Sequence, residues 1–353
     1  MMSVPRLDYD AMRKARARQD RLTKPQGSLG FLEDLSVKVA GIKADPRPRI
    51  EGKLILTFAA DHGVAEEGVS AYPQEVTAQM VRNFLRGGAA ISVLARHIGA
   101  KLVVVDMGVA DDIYPPISAH ENFVVKKIAY GTRNMVEEDA MSREQAERAV
   151  YAGMDVVKEQ FELFKRSGSS LDIVGVGDMG IANTTASSAI AALITGEPPE
   201  LVTGRGSGLT DECVQHKIDV VKKAITRRSI DVDDPFDVLA AVGGFEIAGI
   251  AGAIIGAASL RIPVVIDGFI ACAGALIAYK LNKNIVEHMI AGHMSMEKGH
   301  PVVLEYLKMR PILQLDMRLG EGTGAALAIN IVEAACKILD EMATFEEAGV
   351  SER

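Results

Sequence analysis

Short apolar runs rich in β-branched residues alternate along the chain with longer alanine-rich segments, and this alternation constrains the fold more than any other feature. Five strand-length runs are each followed by Asp or Gly: 54–60, 102–105, 173–176, 263–266 and 312–315. Five helix-length segments accompany them: 75–98, 143–165, 186–194, 211–227 and 268–280. Strands that alternate with helices indicate βαβ units with right-handed crossovers. We therefore expect an α/β fold, a Rossmann-like parallel sheet flanked by helices, with ligands bound at the carboxyl ends of the strands.

The composition excludes several classes of protein. The 353 residues carry a formal net charge of −8, and 48% of them are hydrophobic. This apolar fraction excludes an intrinsically disordered chain, and the lack of a net basic charge argues against a nucleic-acid partner. Cys213, Cys272 and Cys336 lie far apart, which fits a reducing cytoplasm better than a disulfide framework. The N-terminal segment lacks the apolar core of a secretory signal.

The stretch 247–260 is the most membrane-like part of the chain, but it is only fourteen residues long. A bilayer-spanning helix needs about 20 apolar residues. We therefore predict no membrane association, and we expect Gly252 and Gly256 to bring helices together in a soluble core.

The two ends of the chain differ from the middle. Residues 1–50 contain a basic helix, a second helix over 31–42 and a proline-containing linker, and residues 325–353 contain an amphipathic helix. We expect both ends to pack as a small helical lobe beside an α/β catalytic domain of residues 51–324.

The segment from Gly175 through Gly177 to Gly180 matches the G-x-G-x-x-G pattern of dinucleotide sites. Such a site also needs an acidic residue at the end of the following strand, about 20 residues on. The acids near that spacing precede any such strand: Glu197 and Glu200. The pattern instead favours a glycine turn that presents N–H groups, Asn183 and Thr184 to one anionic group, with a purely structural turn as the alternative.

A second glycine loop precedes a helix that carries Lys217. The loop residues are Gly204, Arg205, Gly206, Ser207 and Gly208. Backbone amides, a hydroxyl, a guanidinium and an ammonium together suit a phosphate, and no Gly-Lys-Ser/Thr sequence marks a Walker loop. Two anion-binding loops favour a phosphorylated sugar or a mononucleotide over ATP.

Glu321 is the carboxylate that we expect to act chemically. It lies between Gly320 and Gly322, just before an apolar helix. The glycines let the backbone bend and give a ligand close access. The N-terminus of the following helix would keep the carboxylate ionised, whereas a dry pocket would raise its pKa toward that of a general base. A helix-terminal charge without chemistry is the alternative.

The histidines do not predict a metal site. Their spacing fits no common zinc or iron pattern, so structural or substrate-contacting roles are expected for His62, His288, His293 and His300. Gln79 lies one turn into the helix predicted over 75–98, on a polar stripe of the kind that usually faces solvent.

These ordered motifs resemble the nicotinate-nucleotide–dimethylbenzimidazole phosphoribosyltransferase family over nearly the whole chain. The matching segments are 25–30, 60–64, 73–80, 87–91, 178–185, 204–208, 242–247 and 319–324. The resemblance implies transfer of phosphoribose from nicotinate mononucleotide to 5,6-dimethylbenzimidazole in assembly of the cobalamin nucleotide loop. It also implies a cytoplasmic homodimer. Since the pyridinium leaving group departs as a neutral ring, the reaction calls for no metal and no cofactor.

The same resemblance implies residue roles, with Glu321 as the general base that takes the benzimidazole N–H proton. The binding residues implied are the 204–208 loop and Lys217 for the phosphate, Ser295 and Arg318 for the nicotinate carboxylate, and Gln79 for the benzimidazole. Further substrate contacts are expected at Asp178, Gly180, Asn183 and Thr184.

Two positions depart from the family pattern: Asp178 replaces the usual Glu, and Ser207 replaces the usual Thr. Asp178 is one methylene shorter than Glu, so its contact with the ribose or the acceptor is expected to change. A phenolic acceptor stays open, because the same base would deprotonate it. The remaining alternatives are an NAD-dependent oxidoreductase and a catalytically silent nucleotide-binding subunit.

Overall fold

The computed structural model describes residues 3–113, 121–206, 208 and 210–351. Its strands are β1 Lys53–Ala60, β2 Lys101–Gly108, β3 Phe123–Val125, β4 Ile173–Met179, β5 Val264–Ile266 and β6 Met289–Ala291. All neighbouring pairs are parallel, in the order β3-β2-β1-β4-β5-β6. This is the strand order of Rossmann-type sheets, so the predicted fold class is confirmed.

Helices connect the strands and cover both faces of the sheet. In chain order they are α1 Tyr9–Gln19, α2 Phe31–Lys43, α3 Val76–Leu85, α4 Ala90–His97, α5 Arg143–Arg166, α6 Asn183–Thr195, α7 Pro199–Val202, α8 Asp211–Thr226, α9 Pro235–Val242, α10 Phe245–Ser259, α11 Phe269–Leu281, α12 Gly299–Tyr306, α13 Thr323–Glu341 and α14 Phe345–Ala348. Two 3₁₀ segments, Gly63–Glu67 and Lys283–His288, add single turns.

Strand β1 shows why the sheet is buried on both faces. Leu54, Leu56 and Phe58 pack into an apolar layer with residues of α5, α10 and α11. Ile55 and Ala59 pack into the opposite layer with residues of α2, α3, α4 and α13. Because successive strand residues point to opposite faces, a continuously apolar run fits a strand covered by helices on both sides.

The most membrane-like stretch is the buried helix α10. A Cβ added at Gly252 would lie 1.9 Å from the carbonyl oxygen of Val150, and one added at Gly153 on α5 would lie 1.9 Å from the carbonyl oxygen of Gly249. Glycine therefore lets α5 and α10 pack backbone to backbone, as predicted. Among the described residues, no helix has the length and apolar character needed to cross a bilayer.

The prediction of one helix over 75–98 is wrong, because the segment forms two helices. Helix α3 ends at Leu85, and Gly87 adopts the left-handed conformation, with φ of +78°. Gly87 and Gly88 donate hydrogen bonds back to the carbonyls of Phe84 and Asn83 and so end the helix. A new helix, α4, begins two residues later, and its N-terminus contributes to the site described below.

The prediction of a strand over 312–315 is also wrong. The sixth strand is β6, and Leu313 forms only an isolated parallel bridge with His293. The N–H groups of Ile312 and Leu313 bond to the carbonyls of Ala291 and Gly292, so this run follows the end of β6 without forming a strand. The short strand β3 was not predicted.

The chain ends pack against each other. Ala15 of α1, Val37 and Ala40 of α2 and Leu339 of α13 form a small buried cluster. The first half of α13 packs on the sheet, through residues such as Ile329. A division of the chain at residues 50 and 324 stays a prediction.

Candidate active site

A cavity of about 400 Å³ opens beyond the carboxyl ends of β4, β5 and β6. It lies next to the point where the strand order reverses, between β1 and β4, and this is where open α/β sheets bind ligands. The lining includes these predicted site residues: Asp178, Gly180, Asn183, Thr184, Gly206, Ser295, Arg318 and Glu321.

The backbone of Glu321 is held in an unusual conformation. Its φ is +64°, in the left-handed region that residues with a side chain rarely adopt, and Gly320 and Gly322 also have positive φ. The carbonyl of Glu321 accepts a 2.7 Å hydrogen bond from Thr57 Oγ1, and its N–H donates to the carbonyl of Asp178 at 3.2 Å. Two neighbouring strands therefore fix this loop, which directs the carboxylate to the cavity.

The carboxylate of Glu321 is buried against the start of α4. Oε2 accepts a 3.1 Å hydrogen bond from the N–H of Ile91, the second residue of that helix. Burial raises the pKa of Glu321, and the Ile91 N–H partly opposes this shift. The prediction that the helix following Glu321 supports this carboxylate is wrong, since the supporting N–H belongs to α4.

The N-terminus of α13 is occupied by Asp267 instead. Its carboxylate accepts hydrogen bonds from the N–H groups of Gly322, Gly324 and Ala325 at 2.7–3.0 Å. Burial raises the pKa of Asp267 to about 7 although these three N–H groups favour the charged form. Asp267 therefore fixes the turn that follows Glu321 and has little capacity left for a ligand.

Asp178, at the end of β4, has one bonded oxygen and one free oxygen. Asn183 Nδ2 donates to Oδ2 at 2.9 Å, and Oδ1 has no hydrogen-bond partner in the described part of the chain. Burial, together with the negative charges of Asp267 and Glu246, holds the pKa of Asp178 well above its usual range. Asp178 therefore keeps its proton to a higher pH than an exposed carboxyl does, and its protonated form can donate a hydrogen bond to a ligand.

Lys217 and Thr184 meet beside the second glycine loop. Lys217 is fully buried, and its Nζ donates a 2.6 Å hydrogen bond to Thr184 Oγ1. Burial lowers the pKa of Lys217 to about 8, against the opposing charge of Glu297. A Cβ added at Gly206 would lie 2.9 Å from Thr184 Oγ1 and 3.2 Å from Lys217 Nζ. A loop backbone, a hydroxyl and an ammonium are thus assembled in one place, as a phosphate requires.

The other described residues of that loop do not line the cavity themselves. Gly204 faces Glu297, Arg205 is exposed and pairs with Asp211, and Gly208 has open space around it. Ser207 lies outside the described residues.

At the other end of the cavity, Ser295 is positioned by a buried histidine. The N–H of Ser295 donates to His300 Nδ1 at 2.8 Å, so the ring carries its proton on Nε2, which lies 3.2 Å from Cys272 Sγ. Burial lowers the pKa of His300 to about 3, so the ring is neutral. Arg318 is exposed at the cavity and forms no ion pair with any described residue.

The other histidines have separate partners. His62 Nε2 lies 2.5 Å from Glu246 Oε1 in a buried pair behind Gly180, and His288 bonds to the carbonyl of Pro5. His293 lines the cavity. A search of the described residues found no group of three or more His, Cys, Asp or Glu side chains able to hold a metal ion.

Gln79 is exposed on α3 and is not among the cavity-lining residues, whereas Val76 and Met80 of the same helix line the cavity. Successive helix residues point about 100° apart, so the side chain of Gln79 diverges from that of Met80. The contact of Gln79 with the benzimidazole stays a prediction.

Sequence reasoning missed the apolar lining and one acid. The missed residues are Tyr72, Val76, Met80, Met179, Ile181, Phe269, Ile270, Leu319 and Glu297. They come from five separate parts of the chain. A position just after a predicted strand would have indicated a cavity residue for only some of them, such as Phe269.

The glycines of the dinucleotide pattern serve packing. Gly175 and Gly177 lie within β4, not in the turn after it. A Cβ at Gly177 would lie 2.2 Å from the backbone nitrogen of Gly322. These two glycines therefore let the Glu321 loop and α13 approach the sheet, and this removes the main support for an NAD site.

Comparison with known proteins agrees with this geometry. A family model described as phosphoribosyltransferase matches residues 4–350. The chain belongs to the phosphoribosyltransferase family. A relative from Chloroflexus aurantiacus, named nicotinate-nucleotide–dimethylbenzimidazole phosphoribosyltransferase, is 55% identical over 347 residues, which cover 98% of this chain and 96% of the relative. A relative of the same name from Dehalococcoides mccartyi is 50% identical, with 98% and 96% covered.

A solved phosphoribosyltransferase structure has the same fold. The crystal structure of the enzyme of that name from Thermus thermophilus superposes with a TM-score of 0.90 at 42% identity and covers 98% of this chain and 100% of its own. Both the sheet and the loops around the cavity therefore belong to a fold used by this family of phosphoribosyltransferases.

Proposed function

We propose that this phosphoribosyltransferase transfers phosphoribose from nicotinate mononucleotide to 5,6-dimethylbenzimidazole and releases α-ribazole 5′-phosphate and nicotinate. The observation that carries the proposal is the buried carboxylate of Glu321, which lies in a cavity with an apolar wall and is held by the Ile91 N–H. The relatives named for this reaction match nearly the full chain.

Glu321 acts as the general base. Its carboxylate takes the N–H proton of benzimidazole while the lone pair of the other ring nitrogen attacks the anomeric carbon. The bond from that carbon to the pyridinium nitrogen breaks, and its electrons return to the ring, so nicotinate leaves with a neutral ring. Attack from the far face converts the β-linked donor into an α-linked product. A raised pKa suits this role, because it brings the carboxylate closer to the pKa expected of a base at neutral pH.

The donor occupies the polar side of the cavity. Its phosphate lies against Gly206, Thr184 and Lys217, where a buried ammonium already bonds to a hydroxyl. Its nicotinate carboxylate lies near Ser295 and Arg318, the guanidinium that has no ion-pair partner in the described chain. Fixed contacts at both ends align the anomeric carbon, and alignment of this kind supplies a large part of the rate.

The acceptor occupies the apolar side. Val76, Met80, Met179 and Leu319 line the cavity with Glu321, and such side chains suit a flat ring that carries methyl groups. Asp178, with a raised pKa and one oxygen without a partner in the described part of the chain, supplies a hydrogen bond near this ring or the ribose.

We also propose that the chain works as a cytoplasmic homodimer. Tyr72, Met296 and Leu319 lie at or beside the cavity and are more than half exposed, at 54%, 58% and 57%, and exposed apolar groups of this kind mark subunit contacts. All three cysteines are free thiols, as in a reducing compartment. Light scattering of the purified protein tests the assembly: a dimer mass is expected, and a monomer mass at assay concentration would contradict it.

A chromatographic assay tests the reaction. Purified protein is incubated with nicotinate mononucleotide and either dimethylbenzimidazole or phenol, and nicotinate and the ribosylated product are quantified together. We expect equal amounts of nicotinate and α-ribazole 5′-phosphate.

If only phenol is ribosylated, the proposed transfer mechanism stands, but the acceptor is a phenol instead of dimethylbenzimidazole. Binding of the nucleotide without turnover on either acceptor would contradict an enzymatic role and favour a silent subunit.

A further inference from the structure

Glu297 is a cavity residue to which the proposed reaction gives no task. It lines the cavity and is 5% exposed, and its Oε2 has no hydrogen-bond partner in the described part of the chain. Its backbone is fixed, since its N–H bonds to Ser295 Oγ at 3.3 Å. A buried carboxylate oxygen without a partner is costly to the folded protein, so a ligand is expected to use this side chain.

The second glycine loop separates Glu297 from the basic group of the site. A Cβ at Gly204 would lie 2.5 Å from Glu297 Oε2, whereas a Cβ at Gly206 would lie 3.2 Å from Lys217 Nζ. Two residues of extended backbone span at most about 7 Å, which is the scale of one phosphorylated pentose. The loop therefore has an acidic side chain beside one end and a basic side chain beside the other.

We propose that Glu297 accepts hydrogen bonds from the ribose 2′,3′-diol of the donor and selects ribonucleotides over deoxyribonucleotides. This inference rests on the proposed function. The residues assigned above to the phosphate and to the nicotinate carboxylate leave the diol, a pair of hydrogen-bond donors, without a partner. A carboxylate is a suitable partner for it, as in dinucleotide sites where an acid binds the ribose hydroxyl.

A different role for Glu297 follows from its charge, which acts on the ammonium of Lys217. In that case replacement of Glu297 would change the affinity for the phosphate and would not change the preference for the ribose hydroxyls. Donor analogues that lack one group at a time separate the two roles.

The experiment measures dissociation constants by calorimetry with the acceptor left out, because removal of a hydroxyl also changes the reactivity of the glycosidic bond. The probes are nicotinate mononucleotide, its 2′-deoxy and 3′-deoxy analogues, and nicotinate riboside without phosphate. The proteins are the wild type, Glu297→Ala, Glu297→Gln, and Glu305→Gln as a control at an exposed position on α12. Circular dichroism confirms that each variant is folded.

We expect the wild type and the Glu305→Gln variant to bind at least one deoxy analogue roughly 10- to 100-fold more weakly than the ribonucleotide, the effect of a lost hydrogen bond to a charged group. The Glu297→Ala variant is expected to bind the ribonucleotide and the deoxy analogues alike, with the Glu297→Gln variant in between. The loss of affinity caused by Glu297→Ala should also be seen with nicotinate riboside, which lacks the phosphate.

Two results would overturn the inference. One is that the Glu297→Ala variant still prefers the ribonucleotide over the deoxy analogues as strongly as the wild type does. The other is an effect of Glu297→Ala that vanishes when the probe lacks phosphate, because this would assign the residue to Lys217. If the wild type makes no ribosylated product with any acceptor, the proposed function itself fails, and this outcome is distinct from both.

Discussion

The backbone N–H of Ile91 lies 3.1 Å from Oε2 of Glu321, although the two residues are 230 positions apart in the chain. This contact exists because Gly87 and Gly88 end one helix and allow another to begin at Ala90. An N–H group in the first turn of a helix has no partner inside the helix, and here it stabilises the charged form of the Glu321 carboxylate. The break between α3 and α4 is therefore part of the candidate active site.

Replacement of Gly177 by Ala is expected to reduce activity more than stability. The new Cβ would lie 2.2 Å from the backbone nitrogen of Gly322 and so displace the Glu321 loop, whereas a Cβ at Gly175 would first meet the end of the Ile55 side chain at 2.7 Å. Overpacking costs about 1–3 kcal/mol, with the larger cost expected at Gly177, where the clash is with backbone; a shift of about 1 Å in a catalytic group can cost roughly 100-fold in rate. The check is kcat per folded molecule, with melting temperatures for both variants. Equal kcat values for Gly177→Ala and Gly175→Ala would contradict the role given to Gly177.

Stability should depend on pH through Asp178. The folded state raises the pKa of this carboxyl, mainly by burial, so the folded protein holds a proton that the unfolded chain releases above about pH 4. The stabilisation is complete below that pH and is lost as the pH rises toward the raised pKa, by at most about 1.4 kcal/mol per pH unit. Asp178→Asn removes this dependence, so the variant should gain stability relative to the wild type as the pH rises.

Urea unfolding at about pH 5 and about pH 8 measures this difference. Asp219→Asn, at an exposed position on α8, is the control and should follow the wild type. A constant difference between Asp178→Asn and the wild type at both pH values would show that Asp178 is ionised in the folded protein.

Lys217→Met is expected to weaken donor binding. Loss of a charged hydrogen bond to the phosphate should raise KM for nicotinate mononucleotide roughly 10- to 100-fold with a smaller change in kcat. Because the pKa of Lys217 is lowered to about 8, kcat/KM of the wild type should fall as the pH rises through that value, when the ammonium loses its proton. The variant should lack this decline. Lys222→Met, an exposed lysine on the same helix, is the control, and persistence of the decline in Lys217→Met would exclude Lys217 as its source.

The sequence was sufficient for the fold class and for bringing several polar residues to one edge of the sheet. Continuous apolar runs followed by Asp or Gly mark strands buried on both faces, and their carboxyl ends meet at one edge, so Asp178 and Asp267 could be expected near one another. The apolar half was not predictable in the same way. Val76, Met80 and Leu319 are ordinary apolar residues until the fold brings their elements together.

The local sequence pattern also does not show which residue forms the hydrogen bond to a given side chain. Gly87 and Gly88 lie inside an otherwise helical pattern, and isolated glycines are tolerated in helices. The sequence therefore did not predict that the helix ends there, and only the structure shows it. For the same reason the helix N-terminus beside Glu321 was assigned to the next element in sequence instead of to α4, which is distant in sequence and close in space.

The proposed reaction depends most on Glu321 as the base, and Glu321→Gln tests this role most directly. Glutamine preserves the shape of the side chain and still accepts the Ile91 N–H, but it cannot take a proton. The measurement is the single-turnover rate of α-ribazole 5′-phosphate formation, with calorimetric affinity for nicotinate mononucleotide measured on the same protein. We expect a rate loss of roughly 100- to 10,000-fold, the range for a lost general base, and unchanged affinity. A variant that binds the donor normally and reacts at nearly the wild-type rate would contradict the mechanism.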